Sequence, residues 1–212
     1  MKTIEPDNEN PGRTLLYIPI VHTEADMGAL SQSVRLMALR RLGLTGWKRK
    51  VNLIGHLWTE IERELIKRAL NYEKVRLYQD GLPVCGRERE IVNEVANTGS
   101  RNYQLLLHLM EKGARIMGTE SPELLVEEYE MTKQLLSAGN INKTEGVLCE
   151  GRRRPLMDSL LKRRDQFIAE RINTTLGPGE TGIIFLGGLH SLGNRLNKDI
   201  RIIYPIHKPF PC

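Results

Sequence analysis

The chain has 212 residues, 40% of them hydrophobic, enough to bury a full core as a single domain without covalent staples. Its three cysteines, Cys85, Cys149 and Cys212, are odd in number and widely spaced, which excludes a disulfide framework or cysteine-rich zinc site and fits reduced thiols in a cytoplasmic protein. The net charge of +5 is a modest excess, and much of the charge is mixed along segments such as RERE and EEYEMTK; with only 5% aromatic residues and no zinc-finger or RNA-recognition signature, a nucleic-acid partner is not expected.

Residues 1–13 are polar and proline-containing and read as a flexible lead to one α/β domain over 14–212. No apolar stretch approaches the ~20 residues that span a bilayer, so neither a signal peptide nor a membrane partner is expected. A near-continuous apolar run, Leu15 to Val21, predicts a first strand buried on both faces. From Met27 the spacing of Leu30, Val34, Met37 and Ala38 predicts a helix that stops at Gly43, followed by a basic loop, GWKRK. Leu57, Ile61, Leu65 and Leu70 place a second helix over about 56–71.

A short second strand ends at Tyr78 and leaves through QDGLPVCG, a segment with turn chemistry. Helices follow at 87–97 and 102–112, with Ser100 a cap for the latter. The third strand, 114–118, feeds a helix over 121–138 that opens on Ser121 and Pro122. Residues 139–154 read as a long loop containing Arg152, Arg153 and Arg154, and Pro155 opens the longest helix, to 176. A fourth strand occupies 181–187 and a last one ends near Ile206. Such alternation predicts an α/β fold: a mainly parallel sheet of about five strands with helices on both faces.

Four of these strands run into an acid or a histidine. Their C-terminal ends share the edge where open α/β sheets place ligands, so His22, Glu24, Asp26, Asp80, Glu120 and His190 become candidate site residues. His22, Glu24 and Asp26 form an H-x-E-x-D run suited to a general base with orienting acids or to metal ligation; taken alone, Asp26 reads more simply as a helix cap. Gly187 and Gly188 before His190, with Ser191 at a helix start, predict a small concave site with free backbone donors. Asp80 and Glu120 each have a plainer reading, as a turn aspartate and as an acid near a helix start. The candidates are stronger together, and paired histidines with carboxylates would also suit a divalent metal, on His22, Glu120 and His190. Arg152–Arg154 precede a helix that starts at the same edge, where they could hold an anionic or phosphate-bearing substrate. His56, His108 and His207 read as structural, with His108 on a mostly buried face. The absence of G-x-S-x-G, P-loop and G-x-G-x-x-G patterns demotes serine-hydrolase, ATPase and dinucleotide readings.

The stretch RRDQFIAERINTTLGPGETGIIFLGGLHSL, an arginine-bearing helix feeding a strand that ends in Gly187-x-x-His190, resembles the C-terminal motif of the superfamily of TraB-type proteins, TIKI proteases, erythromycin esterases and ChaN-like proteins. IPIVHTEADMG is similar to its first histidine motif, with Pro19 where the family usually has glycine. The resemblance implies a hydrolytic site, metal-dependent in the TIKI type and metal-free in the esterase type. His22 and His190 would then be the paired histidines, Glu24 and Glu120 the carboxylates, and Arg164 an inward-facing arginine. ChaN-like relatives bind haem, so the resemblance also allows a binding protein for a haem-like cofactor. The combined expectation is a hydrolase of an ester, amide or phosphate-bearing small molecule, in which His22 activates water, His190 orients it, and Glu24, Asp80 and Glu120 fix protonation or hold a metal. The alternative is a non-catalytic sensor of an anionic ligand in the same cleft. Oligomerisation of identical chains is compatible with either.

Overall fold

A computed structural model describes residues 12–20, 31–138 and 143–206; within these, no side chain is described at 34, 135–138 or 143–154. The first apolar run forms β1 (Arg13–Ile20), buried along nearly its whole length. The remaining strands are β2 (Val75–Gln79), β3 (Arg115–Met117), β4 (Thr181–Gly187) and β5 (Ile200–Ile203). All pairings are parallel, in the order β3-β2-β4-β1-β5. The predicted α/β fold with a five-stranded parallel sheet is therefore what the chain forms.

Period-two alternation sends strand side chains to two separate cores. On one face Leu16, Ile18, Val75, Leu77, Ile183 and Phe185 pack against α1 (Ser31–Ile66), α2 (Glu88–Asn97) and α3 (Arg101–Glu111). On the other, Leu15, Tyr17, Tyr78, Ile184 and Leu186 meet Ile168, Ala169 and Ile172 of α5 (Lys143–Thr175) and Leu176 just after it. Each such fully buried aliphatic contributes about 1.5–3 kcal/mol. α4 (Pro122–Ala138) lies alongside α5.

Several expected boundaries change. The helix predicted to end at Gly43 does break there, at φ 66 and ψ 172, but helix resumes at once, so GWKRK is helical and not a loop, and the helix that was to reach residue 71 ends at Ile66. Lys and Arg are good helix formers, and their charge alone was the loop signal. Likewise 143–154, expected to be a loop, belong to α5, with Pro155 inside the helix. The last strand ends at Ile203. Ser100 caps α3 by accepting from Tyr103 N, and Ser121 caps α4 by accepting from Leu124 N.

The strand exits that matter are braced to each other. Val84 N donates to Glu120 O, and both Thr119 N and Glu120 N donate to Leu82 O, which locks the chain leaving β2 against the chain leaving β3. Gly118 makes the close approach feasible: a Cβ there would lie 2.6 Å from Val84 Cα and 3.0 Å from Pro83 O. We expect Gly118→Ala to cost about 1–3 kcal/mol through overpacking, read as a lower urea midpoint; an unchanged midpoint would mean that the 81–86 loop yields freely.

Candidate functional site

The connection from β2 to β3 runs through α2 and α3 on one face, whereas β4 leads to β5 past Leu192 on the other. Adjacent strands whose exits diverge to opposite faces open a crevice between their carboxyl ends, the usual ligand position in open α/β sheets. Here that crevice lies between Asp80, just after β2, and Gly187–His190, at the end of β4.

α5 supplies the rest. Its buried stripe runs Leu160, Arg164, Asp165, Ile168, Ala169 and Ile172, continued by Leu176 just past its end, at the three- to four-residue spacing of one helix face. The stripe is apolar where it crosses the sheet and charged where it reaches the edge. Arg164 Nε donates to Glu120 Oε2 at 2.8 Å, its Nη2 to Glu120 Oε1 at 2.5 Å and to Asp80 Oδ1 at 2.9 Å, and its Nη1 to Glu128. Asp80 Oδ2 also accepts from Gly187 N at 2.8 Å, and Glu120 Oε1 from Gly81 N at 3.0 Å. Both carboxylates are thus held by backbone as well as by a planar guanidinium fork.

Asp165, one residue on, faces His190. Its Oδ1 lies 2.6 Å from His190 Nδ1, and its Oδ2 accepts from Ser191 N at 3.1 Å. His190 Nε2 is 3.6 Å from Asp80 Oδ2, beyond hydrogen-bond range, so the imidazole links the two acid clusters without a second strong partner among the described residues. The Tyr17 hydroxyl donates to His190 O at 3.4 Å. Burial pushes the Tyr17 phenol up, with Tyr204, Asp165 and Asp80 adding to the effect, so it remains a donor. Burial likewise raises the Glu120 carboxyl against the opposing pull of Arg164. For Arg164, burial disfavours the charge, but Glu120, Asp80 and Glu128 outweigh it and the guanidinium is held charged.

Asp80, Glu120, Arg164 and His190 are therefore brought together. His22, Glu24 and Asp26 lie outside the described residues, and Arg152–Arg154 fall on α5 where no side chain is described. Two expectations at the β4 turn change. Gly187 and Ser191 do not offer free donors, because Asp80 and Asp165 accept from them. No α-helix starts at Ser191; the chain makes a 3-10 turn at Gly193–Arg195 instead. His108, expected on a buried face, is exposed, 3.9 Å from Glu111. Asp165, Tyr17 and Glu128 were not among the predicted site residues. For Asp165 a signal existed: it shares the core-facing stripe with Ile168 and Ile172, a position that excludes an idle charge.

Ligand atoms of Asp80, Glu120 and His190 lie within 4.8 Å of one another, a grouping that could hold a metal ion. Arg164 already neutralises part of the charge of these acids, with three hydrogen bonds to the two carboxylates. A divalent cation held there would share the two carboxylates with that buried guanidinium, so the grouping allows a metal without requiring one. Among the described residues no helix is long and apolar enough to cross a membrane. Comparison with protein-family models, curated proteins and solved structures gives no match.

Proposed function

We propose that the chain is a hydrolase of a small ester, amide or phosphate-bearing molecule, with His190 as its general base. The observation that carries this reading is the His190 Nδ1–Asp165 Oδ1 contact at 2.6 Å. An acid on Nδ1 selects the tautomer whose Nε2 lone pair faces outward, and it stabilises the imidazolium formed when Nε2 takes a proton from water. Asp165 is itself fixed by Ser191 N, so the acceptor that orients the ring is held in place. Asp80 stands beside Nε2 at 3.6 Å, placed to orient the attacking water. Glu120 and Arg164 hold Asp80 in place and keep the crevice rigid. The resemblance to the metal-free esterase type agrees with an arginine-filled acid cluster.

The test is turnover of a panel of esters, amides and phosphoesters by the wild type and by Asp165→Asn. An asparagine has one acceptor oxygen for the two donors, His190 Nδ1–H and Ser191 N, and no charge to balance the imidazolium, so kcat should fall about 10²–10⁴-fold with KM little changed, and Asp165→Glu should restore part of it. If Asp165→Asn turns over as the wild type does, His190 is not the base. If no member of the panel is hydrolysed while an anionic ligand co-purifies and is lost in His190→Gln, the site is a binding site and the hydrolase reading fails.

A further inference from the structure

The stretch from Ser31 to Thr59 contains no acidic residue and six cations, Arg35, Arg40, Arg41, Lys48, Arg49 and Lys50, more than the +5 net charge of the whole chain. All six are exposed. The same stretch carries Leu36, Met37, Leu42, Leu44, Val51 and Leu53, six of the twelve large hydrophobics exposed among the described residues, with Leu44 60% and Leu53 57% accessible. Basic and apolar side chains are thus concentrated together in one exposed segment.

The reason lies in how α1 sits on the sheet. Ile54, Trp58, Ile61 and Leu65 are buried at alternating four- and three-residue steps. The same stripe continues backward through Val51, Trp47 and Leu44, none of them buried. Burial on α1 begins only at Ile54, so the part of α1 before it contributes no buried side chain to the sheet core. At Gly43 the helix breaks. The Arg35 guanidinium lies 5.2 Å from the Trp47 ring, whereas twelve residues of straight helix would hold them about 18 Å apart. The chain therefore folds back on itself at Gly43 as a helical hairpin whose described side chains before Ile54 are none of them buried.

We propose that this hairpin is a membrane-surface element that lies on anionic phospholipid. Its leucines and valine enter the interface, and its arginines and lysines meet the headgroups. Charge decides among occupants: a second copy would set six cations against six, and a nucleic acid would leave the six aliphatic side chains without a role. An anionic bilayer surface takes both kinds of side chain at once. Such an element lies on the membrane and needs no spanning helix.

Co-sedimentation with vesicles of phosphatidylcholine alone, and of phosphatidylcholine mixed with phosphatidylglycerol, tests this. The wild type should bind the mixed vesicles roughly ten-fold or more tightly than the neutral ones, less so at high salt, with a blue shift of tryptophan emission from Trp47. Two variants should each lose that binding: Lys48→Gln with Arg49→Gln and Lys50→Gln, and Leu42→Ser with Leu44→Ser, Val51→Ser and Leu53→Ser. The substituted side chains are all exposed, and a circular-dichroism melt verifies that each variant is folded. Equal binding to both vesicle types, or none, overturns the proposal. So does serine-variant binding equal to wild type, which would mark a purely polyanionic partner. Self-association abolished by the serine substitutions, without vesicle binding, assigns the hairpin to a second copy and overturns it as well.

Discussion

Replacing Arg164 with methionine should remove about 3–5 kcal/mol of folding stability at neutral pH, the cost of leaving buried charge without its partner. Asp80 and Glu120 are 5% and 0% exposed, and the guanidinium is the cation both of them touch. Methionine fills the volume but returns no donor. The loss should depend on pH with a definite sign. Burial already raises the Glu120 carboxyl above the ordinary 4.5, and Arg164 opposes that rise; without Arg164 the rise is larger. A carboxyl with a raised folded-state pKa contributes stability that is present below its unfolded value and is lost as pH climbs through the folded one. The deficit of Arg164→Met should therefore narrow as pH falls toward about 4.5 and deepen toward neutrality. Urea titrations of both proteins across that window give the answer, and a deficit that grows on acidification would contradict the charge argument. Adding Glu120→Gln and Asp80→Asn to Arg164→Met should recover part of the loss, because the acids and the cation act as one network.

His190→Gln should lower turnover by about 10²–10⁴-fold, the usual contribution of a positioned general base. Glutamine keeps a donor for Asp165 but has no basic nitrogen, so the fold and KM should change little. The control is Leu189→Ala, a neighbouring side chain 85% exposed, which should leave kcat near wild type. Were turnover to survive in His190→Gln, the base would have to be another group, and His22, the residue the sequence favoured, would be the first to substitute.

The strands were legible because each is an apolar run bounded by polar turns. Leu15 to Ile20 and Gly182 to Leu186 can satisfy two cores only as buried parallel strands. Once the strands are placed in parallel, Asp80, Glu120 and His190 must share an edge, so this part of the site was also legible. Helix limits were less so. Charge density around Lys48–Lys50 and at Arg152–Arg154 resembles a solvated loop, yet both runs are helical. Nothing in a local window distinguishes a loop from a helix that has left the sheet. Arg164 was reached through resemblance, whereas Asp165 was missed because Arg163, Arg164 and Asp165 are consecutive. Only the phase of the stripe through Ile168 and Ile172 shows that Arg163 points to solvent, where it meets Glu127, while the next two point inward. His108 failed for the same reason in reverse: α3 buries Leu105, Leu106, Leu109 and Met110, and His108 falls between the phases of that face.

The strand order also governs how the chain reaches this state. β1 lies between β4 and β5, so Thr14 finds its partners only at Thr181 and Arg201. This almost wholly buried strand therefore leaves the ribosome long before either neighbour exists. Contacts so distant in sequence slow folding, and an unpaired hydrophobic strand invites association in the interval. Nascent chains halted before β4 should be avid chaperone clients and should show no protected amides in β1, whereas protection should appear there abruptly once residues through 203 are free to fold.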